Sequence, residues 1–145
     1  MFEITVNGRF IAHHQLHTPD GTWEPLHEHV WAVTVGAAGP RLNRHGILAD
    51  FGHLRRELVA VLGTLDRRTL NRLPTFRNAN PSAENVARFV AQQLTDAVAA
   101  PARLAWVEVE EEPGCKARYF VPRPRRTRAR ARRAAARRTR GVNAR

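Results

Sequence analysis

The sequence predicts an α+β domain in which a four-stranded antiparallel sheet carries two helices on one face. Three observations lead there. Apolar residues recur at a period of two before residue 36 and again after residue 103, and at helical spacing in between. The runs follow the order strand, strand, helix, helix, strand, strand, so no βαβ crossover is needed. Cys115 is the only cysteine, which excludes a disulfide scaffold and a thiolate zinc site and leaves the fold to its apolar core.

Each element has its own signal. Phe2, Ile4 and Val6 share one parity, and the largely β-branched run Val30 to Val35 follows a break at Thr18 to Pro25 rich in Pro, Asp and Gly; this reads as two strands joined by a loop. Leu54, Leu58, Val61, Leu62 and Leu65 recur at helical spacing behind Asp50, whose carboxylate suits the free N–H groups of a first turn. A second helix of about four turns is expected from Asn80-Pro81, with Asn as cap and Pro at the first helical position, and with Val86, Phe89, Val90, Leu94 and Val98 as its apolar stripe. Leu104, Trp106, Glu108 and Glu110 alternate with Ala105, Val107 and Val109, which predicts two faces of a third strand. Tyr119 to Val121, after the Pro113-Gly114 turn, predicts its partner.

The charge is uneven along the chain. The 145 residues hold 24 Lys+Arg and 13 Asp+Glu, a net +11. Residues 122 to 145 hold 11 Arg and no acid, so the remaining 13 bases and 13 acids leave residues 1–121 formally neutral. A folded nucleic-acid-binding surface would carry the basic excess itself. The division is therefore a domain at 1–121 and an Arg/Ala-rich tail at 122–145, too poor in large apolar residues to offset its ordering entropy and expected to be unstructured. For the tail the favoured reading is an extension without a partner, and contact with nucleic acid is the alternative. The N-terminus lacks a basic segment followed by an apolar run, and no stretch approaches the roughly 18 apolar residues of a membrane span; a soluble, cytoplasmic protein without membrane contact is expected.

Histidine is clustered. His13, His14 and His17 lie in the first strand and its exit, and His27 and His29 flank Glu28 at the start of the second. Residues two apart in a strand point the same way, so His27 and His29 present two imidazoles on one face, and a pairing of the strands lets His14 reach the same point. Three neutral nitrogens with a fourth position open are the ligand set of a catalytic zinc ion. The His-x-His pair alone equally describes surface histidines.

Six dispersed motifs then stand in one order: Phe10-Ile11-Ala12-His13-His14, Leu26-His27-Glu28-His29, Gly46 to Phe51, Leu65-Asp66-Arg67-Arg68-Thr69-Leu70-Asn71, Asn80-Pro81-Ser82-Ala83-Glu84-Asn85, and Val109-Glu110-Glu111-Glu112-Pro113 leading to Tyr119. In order and spacing they resemble the 6-pyruvoyl-tetrahydropterin synthase and 6-carboxytetrahydropterin synthase family. The resemblance implies a tunnelling fold, with sheets of several subunits, a trimer or hexamer, closing into a barrel and a pterin site at the subunit interface. It implies Zn2+ on His14, His27 and His29, and a lyase acting on dihydroneopterin triphosphate in pterin, queuosine or folate precursor synthesis. It also implies that Glu111 grips the guanidine-like edge of the pterin.

Three positions depart from the family pattern. The family's Cys, four residues before the first His of its His-Gly-His, is Trp23 here, and Cys115 lies elsewhere, in the turn after the last long strand. Arg67 stands in place of the relay histidine after Asp66, and a guanidinium cannot shuttle protons. Glu28 replaces the glycine, pointing away from the metal face. One branch of the family instead carries a glutamate three residues before the first histidine and cleaves the side chain to 6-hydroxymethyl-dihydropterin; Glu24-Pro25-Leu26-His27-Glu28-His29 fits that spacing. Glu24 is thus the candidate general base and Asp66 a positioning group, with a zinc- and pterin-binding protein that has lost turnover as the alternative.

Overall fold

The computed structural model describes residues 1–123; residues 124–145, most of the Arg-rich segment expected to be unstructured, lie outside the described residues. Strands β1 (Phe2–His14) and β2 (His27–Gly39) pair antiparallel along all 13 residues of each, from Phe2 opposite Gly39 to His14 opposite His27. Helix α1 (Phe51–Gly63), the two-residue strand β3 (Arg68–Thr69), helix α2 (Ala83–Gln93), and strands β4 (Arg103–Glu112) and β5 (Cys115–Phe120) follow, in a sheet ordered β3-β1-β2-β4-β5. The expected α+β layout is present, with five strands in place of four. The additional strand, β3, lies parallel to β1 at Ala12 and His13. It is too short to show a period, and it is set up by Arg67, whose positive φ of 55° turns the chain so that its N–H donates to the Ile11 carbonyl at 2.6 Å.

Strand parity builds the core. Val6, Phe10 and Ala12 of β1 and Trp31, Val33, Val35 and Ala37 of β2 point to the face covered by the helices, where all are buried. Leu54, Leu58 and Leu62 of α1 and Val86, Ala87 and Val90 of α2 close over them. Asp50 caps α1 as expected, accepting from the amides of Gly52 and His53. The second helix starts later than the sequence suggests: Ser82, not Asn80, is the cap, and Leu94 and Val98 lie beyond its last turn though both are buried. Asn80 is otherwise employed, bonding the backbone N–H and C=O of His17. No helix among the described residues is long and apolar enough to cross a membrane.

A register shift in β4 corrects the expected faces. Leu104 sits opposite Ala37 and Trp106 opposite Gly36, so Ala105 is an extra residue. A bulge of this kind reverses parity. Leu104 therefore joins the core, whereas Trp106 lies on the open face over Gly36, with the Arg118 guanidinium 4.2 Å from its ring and its Nε1 donating to Glu3 at 3.2 Å. A second shift falls between Glu110 and Glu112, and Glu111 is the residue skipped.

Candidate metal centre

The core stripe of each long strand ends in histidine. His14 follows Phe10 and Ala12 on the inward face of β1, and His29 and His27 precede Trp31 and Val33 on the inward face of β2. Because His14 is registered opposite His27, the three imidazoles meet, with ring centroids 4.6 Å (His14–His27), 5.3 Å (His14–His29) and 4.8 Å (His27–His29) apart. Glu111 continues the Val107, Val109 parity of β4 and brings its Oε1 to 3.2 Å from His14 Nε2 and 3.5 Å from His29 Nε2. One ligand atom from each of His14, His27, His29 and Glu111 falls within 4.8 Å of the others.

The surrounding backbone fixes which nitrogen faces inward. A carbonyl can only accept, so the contacts of His14 Nδ1 with Pro81 O at 2.9 Å and of His27 Nδ1 with Pro25 O at 2.7 Å place a hydrogen on both Nδ1 atoms. In the neutral rings the Nε2 lone pairs are left for the centre, the arrangement by which outer contacts orient metal-binding imidazoles. His14 is fully buried, and its Nε2 has no hydrogen-bond partner, since the approach of Glu111 is close but poorly aligned. A buried, unsatisfied nitrogen costs roughly 1–3 kcal/mol, which a cation at this point would recover. Three imidazoles and one carboxylate suit zinc in both ligand type and number. The floor is Trp31, fully buried, stacked on Phe10 at 5.6 Å and edge-on to His14 at 4.7 Å.

The electrostatics follow from that packing. Burial pushes the pKa of His14 down, but the Glu111 carboxylate, the Pro81 carbonyl and the charges of Glu111 and Glu24 outweigh it, so the net shift is upward. Burial lowers His29, and its neighbours His14 and His27 lower it further against the pull of Glu111. Contact with His14 holds Glu111 below the usual carboxylate range.

The other sequence-derived candidates are distributed around this cluster. Glu24, half-buried, is held by its N–H to the Leu16 carbonyl at 3.0 Å, at the end of a loop tied by the Asp20 carboxylate to Thr18 and Thr22. Those hydroxyls and the Thr22 amide lower Asp20 to about 2. Asp66 lies outside the cluster; its Oδ1 accepts from the Ile11 amide at 2.9 Å. The Arg67 guanidinium is exposed, 3.7 Å from the Asp66 carboxylate. Glu28 points to the open face and meets His13 at 3.5 Å, as its parity requires. Cys115 is exposed at the start of β5. Sequence reasoning missed Trp31, the Pro25 and Pro81 carbonyls, and the role of Asn71 and Asn80. These two amides bond both backbone groups of Gln15 and of His17, fixing the strand exit beside His14 as a neighbouring strand would.

Comparison with known proteins follows the same residues. The model of the 6-pyruvoyl tetrahydropterin synthase family matches residues 3–122. A Caenorhabditis elegans protein assigned as a 6-pyruvoyl tetrahydrobiopterin synthase is 32% identical over 89 residues, 60% of this chain and 61% of that protein. The dihydroneopterin monophosphate aldolase of Pyrococcus furiosus is 31% identical over 72 residues, 50% of this chain and 58% of the relative. In both alignments the chain spans less than two thirds of the relative's length. Among solved structures, the 6-pyruvoyl tetrahydropterin synthase of Caenorhabditis elegans superposes with a TM-score of 0.72 at 24% identity, covering 83% of this chain and 96% of that one. A glutamate-to-alanine catalytic-residue mutant of the Plasmodium vivax synthase gives 0.68 at 18% identity, covering 84% and 98%. Those two likenesses carry the fold alone. The family match takes in both histidine strands and the β4 carboxylate, and with it the chain belongs to the 6-pyruvoyl tetrahydropterin synthase family.

Proposed function

We propose that the protein is a zinc-dependent lyase acting on the side chain of a phosphorylated dihydroneopterin, with His14, His27 and His29 as metal ligands. The observation that supports this reading most directly is the buried, unpartnered Nε2 of His14, aimed at two further imidazoles and a carboxylate in a chain of this family. When bound, zinc would supply Lewis acidity that polarises the substrate's side-chain hydroxyls and makes their protons, and those on the adjacent carbons, removable.

The chain's own groups do the rest. Glu24 is the general base, close enough for its charge to act on His14. In carbon–carbon cleavage it takes the proton of a side-chain hydroxyl as the neighbouring C–C bond breaks, and a proton returns to the carbon left on the pterin. A glutamate as catalytic residue has a parallel in the Plasmodium vivax variant. Glu111 closes the cluster in the free protein; with substrate present it turns to the guanidine-like edge of the pterin, where a carboxylate accepts two parallel N–H bonds. Asp66 acts at one remove, holding β1 through Ile11 so that His14 keeps its place. The sheet offers β5 as an open edge, and Val30 and Phe120 are exposed. These features support the homo-oligomer, trimer or hexamer, that the family resemblance implies.

The deciding experiment incubates zinc-loaded protein with dihydroneopterin triphosphate and with the monophosphate and identifies the pterin formed. A 6-hydroxymethyl product supports carbon–carbon cleavage, and a pyruvoyl or carboxy product supports the synthase reactions. An unchanged substrate beside tightly bound zinc would replace the lyase with the zinc- and pterin-binding reading that Trp23 and Arg67 suggest.

A further inference from the structure

A second concavity of about 370 Å³ opens beside the metal centre, between the exit of β1 and the segment leading into α2. His17, Trp23, Phe76, Arg77, Asn78 and Asn80 form its walls. Two of these adjoin the candidate centre in sequence. Trp23 precedes Glu24, and Asn80 precedes Pro81, whose carbonyl holds His14 Nδ1. The framework is braced: Asn80 bonds both backbone groups of His17, Trp23 stands edge-on to the His17 ring at 4.9 Å, and buried Phe76 meets Phe89 at 5.9 Å.

The lining has one sign. Arg77 and His17 are its ionisable groups, no acid faces the cavity, and the Arg77 guanidinium forms no ion pair among the described residues. A braced, acid-free cleft with an unneutralised arginine beside a reaction centre is suited to the anionic end of a substrate. We propose that this cavity takes the phosphate end of the substrate, with Arg77 paired to phosphate oxygens and Trp23 walling it from solvent. The identity of the ester rests on the lyase reading above; the anion site does not.

Charge favours one form of the ester. His17 lies three residues beyond His14, at most about 10 Å along an extended chain, a separation that a triphosphate ester can span. A triphosphate carries more negative charge than a monophosphate, so an acid-free cleft with an unpaired guanidinium holds it more tightly. Arg77 is therefore a specificity-determining residue for the polyphosphate form.

The test titrates inorganic tripolyphosphate into the zinc-loaded full chain and follows tryptophan fluorescence, which reports on Trp23 because it is 55% exposed while Trp31 and Trp106 are buried. A saturable change is expected, weakened about ten- to a hundredfold in Arg77→Gln, the loss of one charge-assisted contact. Asn78→Asp should weaken it by placing a like charge in the cavity, and Arg55→Gln, on α1, should match the parent. The Arg-rich tail is intact in every variant, so binding there cannot create these differences. The KM for dihydroneopterin triphosphate should rise in Arg77→Gln by a similar factor, with a smaller change for the monophosphate. Unchanged tripolyphosphate affinity in both Arg77→Gln and Asn78→Asp would overturn the proposal, and orthophosphate binding as tightly as tripolyphosphate would overturn the preference for the longer ester. Absence of turnover with either ester would defeat the lyase reading, while the titration would still decide the anion site.

Discussion

Gly36 is the position where one added methyl group has the clearest consequence. A Cβ there would lie 2.3 Å from Trp106 Cε2 and 2.5 Å from its Nε1, so the indole must leave its seat on the open face of β2. The indole is a large rigid ring, and its present place is fixed by the bulge at Ala105, by Glu3 and by Arg118. Overpacking of this kind costs about 1–3 kcal/mol, and losing the cation–π contact adds about 0.5–1 kcal/mol. Gly36→Ala should therefore destabilise the domain by about 2–4 kcal/mol, a fall in Tm of about 8–15 °C for a domain of this size. Chemical denaturation of the parent, Gly36→Ala, Trp106→Leu and the double variant would measure it. The double variant should recover part of the loss, because the smaller side chain removes the clash, giving a coupling of about 1 kcal/mol or more. Zinc content per folded chain should not change, since the histidines occupy the opposite face. A Gly36→Ala loss below about 0.5 kcal/mol, the size of an ordinary surface substitution, would refute the packing argument.

Three further outcomes test the site. Purified protein should hold about one zinc per chain, and His27→Ala and His29→Ala should each lose it in elemental analysis, because only two of the three ligand imidazoles then remain while Glu111 serves the pterin. Glu24→Gln should lower turnover by about 10² to 10⁴ with zinc content unchanged, the share usual for a general base, and Glu111→Gln should weaken pterin binding first. The metal-free protein should lose stability as pH rises through the raised pKa of His14, because a group whose pKa is raised by folding stabilises the fold below its ordinary value and stops doing so above the raised one. Zinc competes with the same proton, so its affinity should fall as pH is lowered into that range; affinity independent of pH would contradict the assignment of His14.

Much of this was readable from the sequence, because the deciding features were periodic. Leu54, Leu58 and Leu62 at helical spacing gave α1, and the shared parity of His27, His29 and Trp31 placed two imidazoles on the buried face. The parity of Val107, Val109 and Glu111 points the carboxylate the same way. The misses were non-periodic or non-local. An alternating pattern shows no bulge, so Trp106 read as a neighbour of Leu104. The loop from Gln15 to Leu26 does not set the register of the strands it joins, so the meeting of His14 with His27 had to be supposed. Asn80 and Pro81 looked like a helix start, yet the amide serves His17 and the carbonyl serves His14, contacts with partners more than 60 residues distant.

The opposed shifts at His14 and His29 bear on why a cation belongs here. With all three rings neutral, the lone pairs on the Nε2 atoms of His14 and His27 and the charge of Glu111 converge on one point. Convergent electron pairs in a site floored by Trp31 are unfavourable unless something positive lies between them. Without metal the available charge is a proton, and the Glu111 carboxylate 3.2 Å from His14 Nε2 favours it on that ring, the direction in which both groups are shifted. It satisfies one nitrogen at a time; burial first, and then the neighbouring rings of His14 and His27, discourage a second proton on His29, which accounts for the opposite direction there. A divalent ion would accept all these pairs at once and remove the conflict that one proton can only share out. The same strand parity that buries Phe10, Ala12 and Trp31 thus creates, where the apolar stripe gives way to histidine, an electrostatic demand that a metal ion would meet.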